Sequence, residues 1–89
     1  MDNKLYLKYP DRHKNYALCL ESNDNELVNK FKSVCREHLK KDLYWFHQAD
    51  TSDFQMYEAW SKDENAIYNN CLKIAELIGM SLEIKTTLR

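Results

Sequence analysis

Asn15-Tyr16-Ala17-Leu18-Cys19-Leu20-Glu21-Ser22-Asn23-Asp24-Asn25-Glu26-Leu27 changes its hydrophobic period at Ser22. Before that point Tyr16, Leu18 and Leu20 alternate with Ala17 and Cys19, the period-two signature of a strand with one face inward. After it Leu27, Phe31, Val34, Cys35, His38 and Leu39 recur at helical spacing, with Lys30, Lys32, Arg36, Glu37 and Lys40 largely off the apolar stripe. Asn23 followed by Glu26 has capping-box spacing and predicts the helix start there. A strand that passes directly into an amphipathic helix needs a sheet for that helix to lie on, which places the chain in the α+β class.

Working outward, Lys4 to Tyr9 alternates Leu5, Leu7 and Tyr9 with Lys4, Tyr6 and Lys8, and Pro10 ends it. The short polar loop Asp11-Arg12-His13-Lys14 then lets this strand form a hairpin with Asn15 to Glu21. The pattern recurs downstream. Leu43 to His47 reads as a strand, Ala49 to Ser52 as a turn, Phe54 to Trp60 as a strand, and Ser61 with Glu64 as a capping box. Ile67, Cys71, Ile74, Ala75 and Ile78 form a second helical stripe, closed by Gly79, and Leu82 to Leu88 is a last strand.

The expected architecture is a two-layer sandwich in the order ββαββαβ, an antiparallel sheet of about five strands with two helices on one face. A shift of 38 lays Leu5-Tyr6 on Leu43-Tyr44, Tyr16 on Phe54 and Leu18 on Met56, and a shift of 40 aligns the two helix stripes. The fold therefore reads as a tandem ββα pseudo-repeat or as a variant of the ferredoxin-like βαββαβ order. In the latter, the strand Asn15 to Glu21 is central with both neighbours taken. The first strand must then pair at an edge, with a second chain as one option, or the sheet order must differ.

A chain of 89 residues suits one domain, residues 1–89, close to the size at which a single core suffices. Thirteen basic and fourteen acidic residues give a net charge of −1, so no global field draws the chain to nucleic acid or an anionic membrane. Three cysteines, Cys19, Cys35 and Cys71, lie within apolar patterns and read as free thiols of a reducing compartment. With no apolar run of signal or membrane-spanning length, the expected location is the cytoplasm. Abundant Lys, Asn and Tyr against one Gly and one Pro fit an AT-rich genome, such as many phages carry.

The residues do not spell the signature of a named family. Cys35 and His38 lie one helical turn apart, but no second close pair completes a metal site, so no metal is expected. His47 with Asp50, Asp53 and Glu58 offers acid-base groups, and Glu58 shares its alternation with Phe54, Met56 and Trp60, which predicts a carboxylate set against the core. A bulge, a sheet edge or a salt bridge accounts for it without catalysis. Nucleophile elbow, phosphate loop and dinucleotide fingerprint are all missing, and no enzyme activity or cofactor is expected.

What remains is the sheet face away from the helices. On the reading that Leu5, Leu7, Tyr16, Leu18, Leu43, Trp45, Phe54, Met56, Leu82 and Ile84 face the helices, the other face carries Tyr6, Tyr44, Phe46 and Tyr57 beside small Ala17, Cys19 and Ala59. An aromatic patch on an open sheet marks a contact surface. The expected function is thus a small interaction or regulatory protein, an inhibitor or adaptor, binding a protein partner or itself as a homodimer. Tyr6, Tyr44, Phe46 and Tyr57 would be its anchors, with Arg12 and Lys14 steering from the rim. The alternative is a single-stranded RNA or DNA binder that stacks bases on the same rings and meets phosphates with Lys4, Lys8, Arg12, Lys14 and Lys85.

Overall fold

Leucine alternation builds the first hairpin. Leu5 and Leu7 on β1 (Lys4–Tyr9) and Leu18 and Leu20 on β2 (Ala17–Glu21) are buried, and the antiparallel register pairs Leu5 with Leu20 and Leu7 with Leu18. The computed structural model describes residues 3–9, 16–39, 43–49, 55–61 and 64–86. After the hairpin come α1 (Asn25–Leu39), β3 (Leu43–Ala49), β4 (Gln55–Ser61), α2 (Glu64–Ile78) and β5 (Leu82–Thr86). The basic loop through Arg12, His13 and Lys14, the Asp50 to Ser52 part of the expected turn, Phe54, and the expected end of β5 at Thr87 and Leu88 lie outside the described residues.

The fold is α+β, with two helices and a mixed sheet in the order β3-β4-β2-β1-β5. Mixed pairing corrects the antiparallel expectation. β1 runs antiparallel to β2 on one side and parallel to β5 on the other, so the first strand is interior and β5 is displaced outward beside it. This is the different sheet order that the sequence left open.

Both helices pack on one face. Val28, Phe31, Cys35 and Leu39 of α1 and Ile67, Cys71, Ile74, Ala75 and Ile78 of α2 cluster with Leu5, Leu7, Leu18, Leu20, Tyr57 and Ala59. Each fully buried large apolar side chain in such a cluster contributes roughly 1.5–3 kcal/mol of transfer free energy. The α1 stripe is rotated from the expected one: Val28 is buried, whereas Leu27, Val34 and His38 are only partly covered. Ile84, expected to face the core, is exposed, because the cluster reaches only as far as Leu82 on the edge strand.

The start of α1 lies one residue later than the Asn23 reading. Asp24 is the N-cap: its Oδ1 accepts from the backbone N–H of Glu26 at 3.0 Å and of Leu27 at 3.3 Å, and its carbonyl accepts the first helical bond from Val28. Ser22 Oγ accepts from the Asp24 N–H and donates to Asn3 Oδ1, tying the helix start back to the head of β1. Ser61 closes β4, and the first α2 residue follows at Glu64. At the other end of α2, Gly79 has φ of 75°, and the N–H groups of Gly79 and Met80 donate to Glu76 and Ala75 in the paired pattern of a Schellman cap.

The two hairpins are not superposable by one shift. Leu5 pairs with Leu20 and Leu43 with Ser61. A shift of 38 carries Leu5 to Leu43 but Leu20 only to Glu58, three residues short of Ser61. Three is odd, so the faces of β4 are exchanged relative to the expected ones. Tyr57 and Ala59 face the helices, opposite Leu20 and Leu18, while Met56, Glu58 and Trp60 fall on the other side, opposite Glu21, Cys19 and Ala17.

The cap sets a first expectation. Asp24→Ala should lower the unfolding free energy by about 1 kcal/mol, and Asp24→Asn, which keeps the accepting oxygen, should stay within a few tenths of a kcal/mol of the parent. Urea denaturation followed by far-UV circular dichroism measures both, and equal losses would show that the carboxylate acts by charge alone.

Candidate functional site

The sheet face opposite the helices is built in rows, because register places one residue of each strand side by side. One row runs Lys85, Lys8, Ala17, Trp60, Tyr44 from β5 to β3, and the next runs Glu83, Tyr6, Cys19, Glu58, Phe46. A third holds Lys4, Glu21, Met56 and Gln48. Tyr6, Ala17 and Cys19 form a second apolar cluster with Trp60 packed on it, and no helix residue joins it among those described.

Small side chains on β2 decide the geometry. Ala17 and Cys19 leave room above the middle strand, so Lys8 on β1 reaches across it to β4 and places its Nζ 2.6 Å from Glu58 Oε2. The indole Nε1 of Trp60 donates to Glu58 Oε1 at 2.8 Å. Both carboxylate oxygens are thereby engaged, and Glu58 is only 4% exposed although it faces away from the helices. Beside it the Tyr6 hydroxyl donates to Glu21 Oε2 at 2.8 Å.

Electrostatics follow from this packing. Burial, then the hydrogen bond to Glu21, pushes the Tyr6 phenol well above its ordinary value. Burial pushes the Cys19 thiol up, and the Glu58 charge adds to that against the opposing effect of Lys8. For Lys8, burial favours the neutral amine but is outweighed by the bond and charge of Glu58, and the net shift is upward. Glu58 is thus paired with Lys8 and accepts from the Trp60 indole N–H.

The sequence-derived candidates divide. Tyr6 lies on this face but is buried and bonded to Glu21. Tyr57 is corrected to the helix side, where it is buried and Lys32 of α1 stands 4.9 Å from its ring centre. Tyr44 and Phe46 occupy ladder positions opposite Trp60 and Glu58. His47 stands opposite Tyr57 and is not in the Glu58 row. Lys4 is exposed, Lys8 is paired, and Lys85 is opposite Lys8. Arg12 and Lys14 lie outside the described residues.

Trp60 and Glu58 are the members of this site that alternation places toward the core, whereas Cys19 lies on the face expected for it. The signal against a core Trp60 is Glu58 itself: a carboxylate two residues away on the same face is costly in an apolar core. Cys19, Cys35 and Cys71 are all buried and free of disulfides. Among the described residues no group of three or more His, Cys, Asp or Glu is placed to hold a metal ion, and no helix is long and apolar enough to cross a membrane. No protein-family model matches the sequence, and neither a curated protein nor a solved structure matches it.

The ion pair is asymmetric, since the Lys8 side chain is 27% exposed and that of Glu58 5%. Lys8→Met strands a buried anion and should cost about 3 kcal/mol. Glu58→Gln keeps the Trp60 bond and leaves an ammonium that can reach water, and should cost on the order of 1 kcal/mol. Chemical denaturation of the two variants at neutral pH checks the order; the reverse order would place the buried charge on Lys8.

The thiols give a pH expectation. Burial raises Cys19, Cys71 and Cys35, the last to about 12. Unfolded thiols titrate near 8.5, so this stabilisation is whole below about pH 8.5 and is lost as pH rises through the folded values. Stability from urea titrations should therefore decline above about pH 8.5, and a disulfide reagent should label the thiols no faster than the chain unfolds. Fast labelling of native Cys19 would contradict its burial.

Proposed function

We propose that the chain is a non-catalytic interaction protein, of the inhibitor or adaptor type, that meets a protein partner on the sheet face opposite the helices, toward β3 and β4. The observation that carries this reading is the clasp of Glu58 between Lys8 and Trp60. The one buried carboxylate among the described residues is spent on holding a flat surface together. Trp60 is only partly covered, and Tyr44 and Phe46 stand beside it in the ladder. Aromatic residues around a satisfied polar centre are the composition in which binding energy concentrates. In this reading Arg12 and Lys14 steer from the rim. The fold itself is read as a ferredoxin-like arrangement with one strand inserted, since without β1 the remaining elements keep the βαββαβ order.

Charge favours a protein over single-stranded nucleic acid. Lys4, Lys8 and Lys85 share the face's rows with Glu21, Glu58 and Glu83, and Lys8 is already paired. Such a face offers no net positive field for phosphates.

A photo-crosslinking residue at position 46, compared with one at the exposed Ser33 of α1, tests the surface in cells that express the chain. Polypeptide adducts from position 46 and none from position 33 are the expected outcome. Adducts from position 33 alone, or RNA adducts from position 46 together with salt-sensitive binding of a labelled oligothymidine in fluorescence anisotropy, would overturn it.

A further inference from the structure

β5 ends the sheet, with β1 on one side and, among the described residues, no strand on the other. Ile84 stands opposite the buried Leu7, on the helix side of the sheet, yet is 69% exposed. On α2, Leu72 is 72% exposed and directly follows Cys71 of the buried core stripe; Tyr68, 52% exposed, shares that flank, with its ring centre 5.0 Å from that of Tyr16 at the head of β2. Leu77 precedes Ile78 and lies on the opposite flank. Because β4 is antiparallel to β2, β2 to β1, and β1 parallel to β5, β4 and β5 run in the same direction and α2 is their crossover. With the right-handed sense such crossovers take, the Tyr68 and Leu72 flank is the one toward the β5 edge. Leu72 and Ile84 are therefore exposed apolar residues toward the outer edge of β5, which among the described residues carries no further strand.

The sequence of that strand, Leu82-Glu83-Ile84-Lys85-Thr86, is self-complementary. Paired antiparallel with its own copy about a two-fold axis at Ile84, it sets Glu83 opposite Lys85 of the second copy and Lys85 opposite Glu83. The two Ile84 residues meet at the axis. Opposite charges at facing positions stabilise an antiparallel pair, and like charges, which a parallel pairing in register would bring together, destabilise it. An axis perpendicular to the sheet keeps the helices of both copies on one side, so the Leu72 flank of α2 in each copy faces the joint from that side.

We infer that the chain forms a homodimer by antiparallel pairing of β5 with β5 of a second copy, extending the sheet across the two-fold axis at Ile84. The contact uses the sheet edge and the helix layer and leaves the Tyr44, Phe46 and Trp60 surface free for a different partner.

Sedimentation equilibrium across a concentration series tests it with charge variants, each checked for an unchanged far-UV spectrum and urea midpoint. The parent should show twice the 10.7 kDa chain mass. Glu83→Lys and Lys85→Glu, which place like charges face to face, should each weaken self-association at least tenfold, as should Ile84→Lys. The double variant E83K/K85E restores the dimer, and an equimolar mixture of the two single charge variants forms a heterodimer. A monomeric parent at every concentration, or a dimer that survives both single charge variants, overturns the inference. Neither result touches the position 46 adducts, so the sheet-face proposal stands or falls separately.

Discussion

Lys8 and Glu58 belong to strands that are not neighbours, and their contact depends on the strand between them being nearly bare. β2 presents Ala17 and Cys19 on that face, both fully buried, and over these small side chains the ammonium from β1 meets the carboxylate from β4. A larger residue at either position would separate the pair and leave Glu58 without its cation. Burial of a carboxylate on a face without helices is tolerable only because Lys8 and Trp60 together answer both of its oxygens. The pair also ties three strands in one contact, so β1, β2 and β4 share a single register-sensitive constraint.

That constraint gives a reason for the position of β1. Had the first strand lain at an outer edge, Lys8 would be too far from β4, and the Leu5 and Leu7 pair would sit under the margin of the helix layer. Inserted beside β2, it places both leucines at the centre of the core and the lysine within reach of Glu58. The cost is displacement of β5, whose Ile84 runs out beyond the cover of α2. The exposed edge is thus a consequence of how the interior is filled.

Much of the fold was legible because each element announces its own period. The leucine alternation of β1 and β2, the stripe of α2 and the Gly79 closure all stand where spacing placed them. What failed was coupling between elements. Apolar content pointed the wrong way for the β4 face, since Phe54, Met56 and Trp60 on one side outweigh Tyr57 and Ala59 on the other. The repeat shift of 38 then favoured the wrong choice by three residues of register. Glu58 held the correction in the sequence itself, as a carboxylate that could not sit among the core residues unpaired. The α1 cap slipped from Asn23 to Asp24 because both can accept from the first turn, and only the backbone start at Asn25 selects between them. The place of β1 was not readable, since hydrophobic pattern fixes which face a strand buries and is silent about which neighbours it takes.

The two ends of the sheet differ in a way that bears on function. β5 alternates apolar residues with Glu83 and Lys85, and charged residues on an edge discourage indiscriminate pairing while permitting a complementary one. β3, at the other end, is seven residues of Leu-Tyr-Trp-Phe-His-Gln-Ala, with neither an acidic residue nor Lys, Arg or Pro. A long uncharged aromatic edge is a hazard in any chain that lives alone, because nothing in it distinguishes a proper partner from another copy. Under the proposed function, that edge beside Trp60 is where the protein partner would bind. The asymmetry of the ends therefore supports dividing the work: the charged edge for self-recognition, and the aromatic end, continuous with the Glu58 clasp, for a different protein.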